Sequence, residues 1–287
     1  MSSLWSSVEA VRDSPLLRRA LVGCLLVGAL GGVVGVHVSL RRLSFTAMAL
    51  THATFPGVVL AALLGWNLTL GSAAFGVVVV LVLALLGNFS DLDHTSSAGV
   101  MLAGGIALGV VLASASDGLS RDLSGFLVGS VLATSTGDVV ATAAWGVGLC
   151  VLLAVLHRPL VASAFDPVGT RSAGLPVGVI DLVMLVVLMT AISVMVPSVG
   201  TILSVALLVA PTAAARMWTT RIGVLFVASP LLGAMCGAVG LILSHWADTA
   251  AGATIAVTCG GLFALSVTAR VIVQTGRARQ VRAPMGA

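Results

Sequence analysis

Residues 43–90 read LSFTAMALTHATFPGVVLAALLGWNLTLGSAAFGVVVVLVLALLGNFS and contain no Asp, Glu, Lys or Arg. A charge placed in hydrocarbon costs about 2.5–3.5 kcal/mol on insertion scales, so an uncharged stretch this long marks chain embedded in a membrane. It is more than twice the ~20 residues that one helix needs to cross. The stretch therefore holds two spans, and Gly65-Trp66-Asn67 is the natural turn between them.

The pattern repeats along the chain. Residues 20–40, 94–116, 139–157, 222–247 and 249–269 each hold one span free of Asp, Glu and Arg. Residues 182–215 are too long for one, and Pro197-Ser198-Val199-Gly200 reads as the turn between two. The expectation is an all-α polytopic membrane protein with about nine transmembrane helices. Residues 123–137 are apolar but too short to cross. They are expected to form a re-entrant or partial helix, which is tolerated at membrane depth only when buried in protein. One domain covers residues 1–287, with an N-terminal interfacial segment at 1–17 and a cytoplasmic tail at 274–287.

Composition gives the same class. Of 287 residues, 59% are hydrophobic and 8% charged, against roughly 25% charged in a soluble domain. All 14 basic residues are Arg, which excludes Schiff-base lysines and the lysine that grips phosphates in a P-loop. Any ATP-driven work therefore needs a second chain to hydrolyse the ATP. Cys24, Cys150, Cys236 and Cys259 form no CxxC, and each sits in an apolar run as a small hydrophobe. Arg18-Arg19 before an apolar stretch imitate a signal peptide. The stretch is too long for one, lacks a small-residue cleavage site, and reads as the first span.

Arginine sets the expected orientation. With Arg41-Arg42 on the cytoplasmic side, Arg158, Arg171, Arg216, Arg221, Arg270, Arg277, Arg279 and Arg282 join them, while Arg12, Arg18, Arg19 and Arg121 fall outside. That bias follows the positive-inside tendency and puts the N-terminus outside. Leu4, Val8 and Val11 would form one face of an interfacial helix. Small-xxx-small spacings at Gly31/Gly35, Gly105/Gly109 and Gly233/Gly237 fit a closely packed bundle.

Few residues can carry chemistry. Met48 and His52 are four apart and share one helix face, with Thr51 beside them. Pro56 lacks the N–H that would bond the His52 carbonyl. An intramembrane histidine is costly and marks a candidate site; the alternative is a neutral histidine bonded between helices. His37 lies near the interface, one turn before Arg41, and reads as structural. His245 and Asp248 stand at the turn between the last two spans, as metal or proton contacts or as a solvated turn. Pro211 frees the carbonyl of Leu207 and suggests a broken or kinked helix lining a cavity. Asp91, Asp93 and His94 read as a solvated loop. The segment 156–177, LHRPLVASAFDPVGTRSAGLPV, is short, amphipathic and bounded by prolines. It is either a docking helix for a partner protein or a plain connecting loop.

Several blocks carry a resemblance. RRLSFTAMALTHATFPGVVLAALLG at 41–65 resembles the signature of the ABC-3 family of permeases, the membrane subunits of ATP-binding-cassette importers for zinc, manganese and iron. FLVGSVLATSTGDV at 126–139 is similar to the family's short helix before the central span, and RPLVASAFDPVGTRSAGL at 158–175 to its block that contacts the ATPase. VPSVGTILSVALLVAPTAAARMWTTRIG at 196–223 and LSHWADTAAGATIAV at 243–257 resemble its C-terminal third. The resemblance covers about residues 16–270.

It implies a homodimer in the cell membrane with the pathway along the dimer axis. It also implies two ATPase subunits docked through Arg158, Phe165, Asp166 and Arg171, and an extracytoplasmic protein that delivers the metal. The cargo would meet His52, with Met48 and Thr51 beside it and His245 and Asp248 near the mouth. The chain is then a conduit and no enzyme, with no resident cofactor and no nucleic-acid partner. Where the family commonly has Asp four residues before the histidine, this chain has Met48. A soft thioether in place of a hard carboxylate points to zinc first, since manganese favours oxygen ligands and imidazole suits zinc. Manganese or iron is the alternative, followed by a metal complex such as haem or a siderophore. A proton-coupled secondary transporter is the rival from another class, but it would need ionisable residues deep in several spans.

Overall fold

The computed structural model describes residues 13–86, 94–115, 129, 131 and 135–282. Twelve helices occur among them: α1 Pro15–Leu40, α2 Ser44–Ala53, α3 Phe55–Leu64, α4 Leu68–Leu86, α5 His94–Ser114, α6 Thr136–Val155, α7 His157–Phe165, α8 Pro167–Ser172, α9 Val177–Val199, α10 Thr201–Arg216, α11 Ile222–Ala247 and α12 Ala251–Arg282. Eight candidate spans are long and apolar enough to cross a membrane, with α2 and α3 together forming one of them. The ninth span read from the sequence is α10. It has 16 residues, about 24 Å of helix at 1.5 Å per residue, short of a ~30 Å hydrocarbon core. Most residues of the expected re-entrant segment 123–137, the acidic pair Asp91 and Asp93, and residues 1–12 lie outside the described residues.

Local chemistry sets the boundaries. The turn at Gly65-Trp66-Asn67 forms as read: Gly65 ends α3 at φ 66, and the Asn67 side chain accepts from Thr69 N–H at 2.9 Å to start α4. Between α2 and α3 the helix breaks at Thr54, two residues before Pro56. Ser135 and Asp138 form a reciprocal capping box at the start of α6. The turn expected over 197–200 is shorter than its sequence suggests. Helix α9 continues through Pro197 to Val199, and Gly200 alone, at φ 83, makes the reversal into α10. A left-handed glycine is enough for that turn because it has no Cβ to clash. Pro211 likewise leaves α10 unbroken. The Leu207 carbonyl that it frees lies against α1, where a Cβ on Gly31 would stand 3.0 Å from the oxygen. The expected tail begins as helix, since α12 runs on to Arg282.

Three spans form the interior. The most apolar windows of α1, α2–α3 and α9 are 61% buried, against 17% for α6 and α12. The first group is the packed centre, and the second presents an apolar outer surface of the kind that lipid covers. The most extensive seam joins α1 to α11. A Cβ on Gly28 would lie 2.4 Å from the Gly233 carbonyl oxygen, and one on Gly32 would lie 2.5 Å from the backbone of Ser229 and Pro230. Gly35 and Gly237 meet Leu208 and Cys24 as closely, and Gly105 of α5 meets Ala53 of α2. Without a hydrophobic drive between helices in lipid, such close backbone approach supplies the packing that holds a bundle together.

Candidate metal path and docking elbow

Helix α2 buries Ala47, Leu50, Thr51 and Ala53 against its neighbours. Its other face is open: Phe45 is 38% exposed, and Met48 and His52 are half-buried. These three residues lie on one helical stripe, so the structure brings Met48 and His52 together as expected. Thr51 does not join them. It is fully buried, and its hydroxyl donates to the Ala47 carbonyl at 2.8 Å. His245 and Asp248 are exposed at the α11–α12 turn, where Asp248 takes φ 50. That turn belongs to helices packed on α1 and α10, while α2 packs mainly on α5, α9 and α10. Among the described residues no three His, Cys, Asp or Glu side chains gather into a metal site. Where two chains' open α2 stripes faced each other, the two His52–Met48 pairs would stand together.

At the end of the bundle opposite Arg41, a cavity of about 430 Å³ opens between the starts of α4 and α6 and the end of α9. Asn67, Thr69, Asp138, Thr142, Trp145 and Ser198 line it. Asp138 was not among the residues singled out from the sequence, although its Ser135-x-x-Asp138 spacing is a legible capping signal. One carboxylate oxygen accepts from Ser135 N–H at 2.9 Å. His52 and Met48 do not line this cavity.

The segment 156–177 folds as an elbow, α7 then α8. Asp166 is the joint: Oδ1 accepts from Gly169 N–H at 2.8 Å, and its carbonyl accepts from Thr170 Oγ1 at 2.7 Å. Pro167 follows at the first helical position, where no N–H is needed. Leu160 and Ser163 face inward at 1% and 4% exposure, while Phe165 and Val168 stand out at 67% and 77%. Arg158, Asp166 and Arg171 are also exposed. The elbow therefore offers apolar knobs among charges, a surface suited to covering by a partner. Val168 is fractionally the more exposed of the two and was missed in the sequence, where a lone valine in a polar stretch gives no signal. Asp166→Ala is expected to destabilise α8 by about 1 kcal/mol, the usual value of a cap. Faster amide exchange over residues 167–172 would report it; unchanged exchange would remove the capping role.

Residues 13–270 match the ABC 3 transport family. The chain belongs to that family. It is 33% identical over 268 residues to the manganese transport system membrane protein MntC of Halalkalibacterium halodurans, covering 93% of this chain and 91% of the relative. It is 32% identical over 260 residues to the manganese import system permease protein ScaB of Streptococcus parasanguinis, covering 90% and 92%. Its fold is similar to that of PsaBC from Streptococcus pneumoniae, solved in complex with Fab, at TM-score 0.83 and 27% identity over 92% of this chain and 95% of that one. As an ABC 3 chain it is a multi-pass permease of the cell membrane, and ATP hydrolysis belongs to a separate subunit.

Proposed function

We propose that this ABC 3 chain is the permease subunit of an importer for a divalent metal ion, with manganese the first cargo. The observation that carries the metal path is the α2 stripe, where His52 stands half-open in a span without a formal charge. Manganese is supported by the relatives, whose names are those of manganese permeases. The zinc-first expectation rested on Met48 alone. It stays as the second reading because a thioether beside an imidazole is a softer pair than manganese prefers. Among the described residues one chain supplies too few ligands for either ion. A second copy facing the same stripe, together with water, would complete the coordination shell, which supports a homodimer with the path between protomers. The arginine-rich end, carrying Arg41, Arg158, Arg171 and Arg216, is then cytoplasmic, and an extracytoplasmic binding protein delivers the ion at the other end. Isotopic uptake by cells with and without this chain tests the proposal. Equal uptake of manganese and zinc in both would end it.

The elbow α7–α8 is the surface we assign to the ATPase subunit. Charge reversal at Asp166 would also break the cap, so Arg171→Glu is the cleaner test. That variant is expected to lose most of its ATPase subunits on purification while the membrane part keeps its melting temperature. Full retention of the ATPase, with hydrolysis still stimulated by the binding protein, would move the docking site elsewhere.

A further inference from the structure

Arg41 caps α1, and its side chain is 8% exposed. Its guanidinium pairs with Asp181 in the second turn of α9, donates to the Leu160 carbonyl at 3.0 Å, and donates to Ser163 Oγ. Leu160 and Ser163 are the inward residues of α7, so one rigid fork holds the elbow to two spans. A planar guanidinium can serve several acceptors at fixed angles, which a lysine cannot do. The first residue of α7 is anchored beside it. The His157 ring meets Phe226 of α11 edge-on at 5.1 Å and His37 of α1 at 6.2 Å.

On the other side Arg41 opens the turn into α2. Arg42 takes φ 57, and Leu43 N–H closes onto the Val38 carbonyl at 2.9 Å. That is a Schellman stop, and it fixes the angle at which α2 leaves α1. From Ser44 to His52 is about 12 Å of unbroken helix. A push on the elbow thus has a short route to the metal path: α7, the Arg41 fork, the two-residue corner, then α2.

The geometry points to Arg41 as a positioning residue that couples the docking elbow to the helix carrying Met48 and His52. This rests on the permease reading above. A clasp of the same chemistry lies at the same corner without touching the elbow. Arg216 donates from Nη1 to the Ser39 carbonyl at 3.0 Å and to Ser39 Oγ at 2.8 Å. It separates coupling from mere bracing.

The test uses the whole complex in liposomes, with its ATPase and binding protein and with manganese as the probe, and reads metal moved per ATP hydrolysed. Arg41→Gln is expected to assemble and to hydrolyse ATP in response to the loaded binding protein, while metal moved per ATP falls about tenfold or more. Arg41→Lys keeps the charge beside Asp181 and should recover part of the ratio. Arg216→Gln should leave the ratio at the wild-type value. A wild-type ratio in Arg41→Gln overturns the assignment, as does an equal fall in Arg216→Gln. If Arg41→Gln does not assemble, Ser163→Ala and Asp181→Ala each remove one arm of the fork: lowered ratios sustain the coupling role, and unchanged ratios end it. A wild-type complex that moves no metal would sink the permease reading instead.

Discussion

His52→Ala is expected to abolish metal uptake while the chain still inserts and still holds its ATPase subunits. On the proposed reading the imidazole is the metal-binding group on the open stripe of α2, and alanine would leave only the Met48 thioether, a weak ligand for manganese or zinc. The companion variants sort the cargo. Met48→Ala should cost much less than His52→Ala. Met48→Asp adds a hard anion one turn before His52 and should raise the manganese-to-zinc uptake ratio, or stall transport by holding the ion too tightly, since a conduit must also release. Uptake should fall on acidification in the wild type, because a protonated imidazole has no lone pair to offer a metal. Competitive uptake of the two ions by the three variants decides the matter. Normal manganese and zinc uptake by His52→Ala would remove this site. An unchanged ratio in a transporting Met48→Asp would show that the residue does not choose the metal.

The second large effect lies in the fold. Gly28→Ala places a methyl 2.4 Å from the Gly233 carbonyl oxygen, and Gly32→Ala places one 2.5 Å from the Ser229–Pro230 backbone. Backbone cannot swing aside as a side-chain end can, so α1 and α11 must separate. Each change is expected to cost about 1–3 kcal/mol, the usual range for overpacking. The double variant should lose most of its folded yield. Gly23→Ala is the control on the same helix, where a Cβ meets nothing within 4 Å. It should be neutral or slightly stabilising, because alanine is the better helix former by ~1 kcal/mol. Thermal unfolding in detergent compares them. A Gly28→Ala melting temperature equal to that of Gly23→Ala would mean that the seam is looser than this packing.

The spans themselves were legible in the sequence. The cost of a charge in hydrocarbon is large and local, so runs without Asp, Glu or Arg mark membrane chain without any knowledge of neighbours. Gly65 and Asn67 were legible for the same reason: a left-handed glycine and an Asn cap act within four residues. The pairing of Met48 with His52 followed from helical spacing alone. What the sequence left open depended on which backbone stands opposite. Pro197 read as a turn, yet α9 runs through it, because Gly200 supplies the reversal and packs closely on Gly129. Thr51 read as a neighbour of His52, but the packing of α2 buries it, and its hydroxyl donates to the Ala47 carbonyl of the same helix. Arg41 read only as a cytoplasmic charge. Its fork reaches residues more than a hundred positions away, and no local pattern encodes a meeting of that kind. The sequence by itself determined a set of charge-free spans with His52 in one of them. The packing of α1, α7 and α9 decided that an arginine stands between the docking elbow and that span.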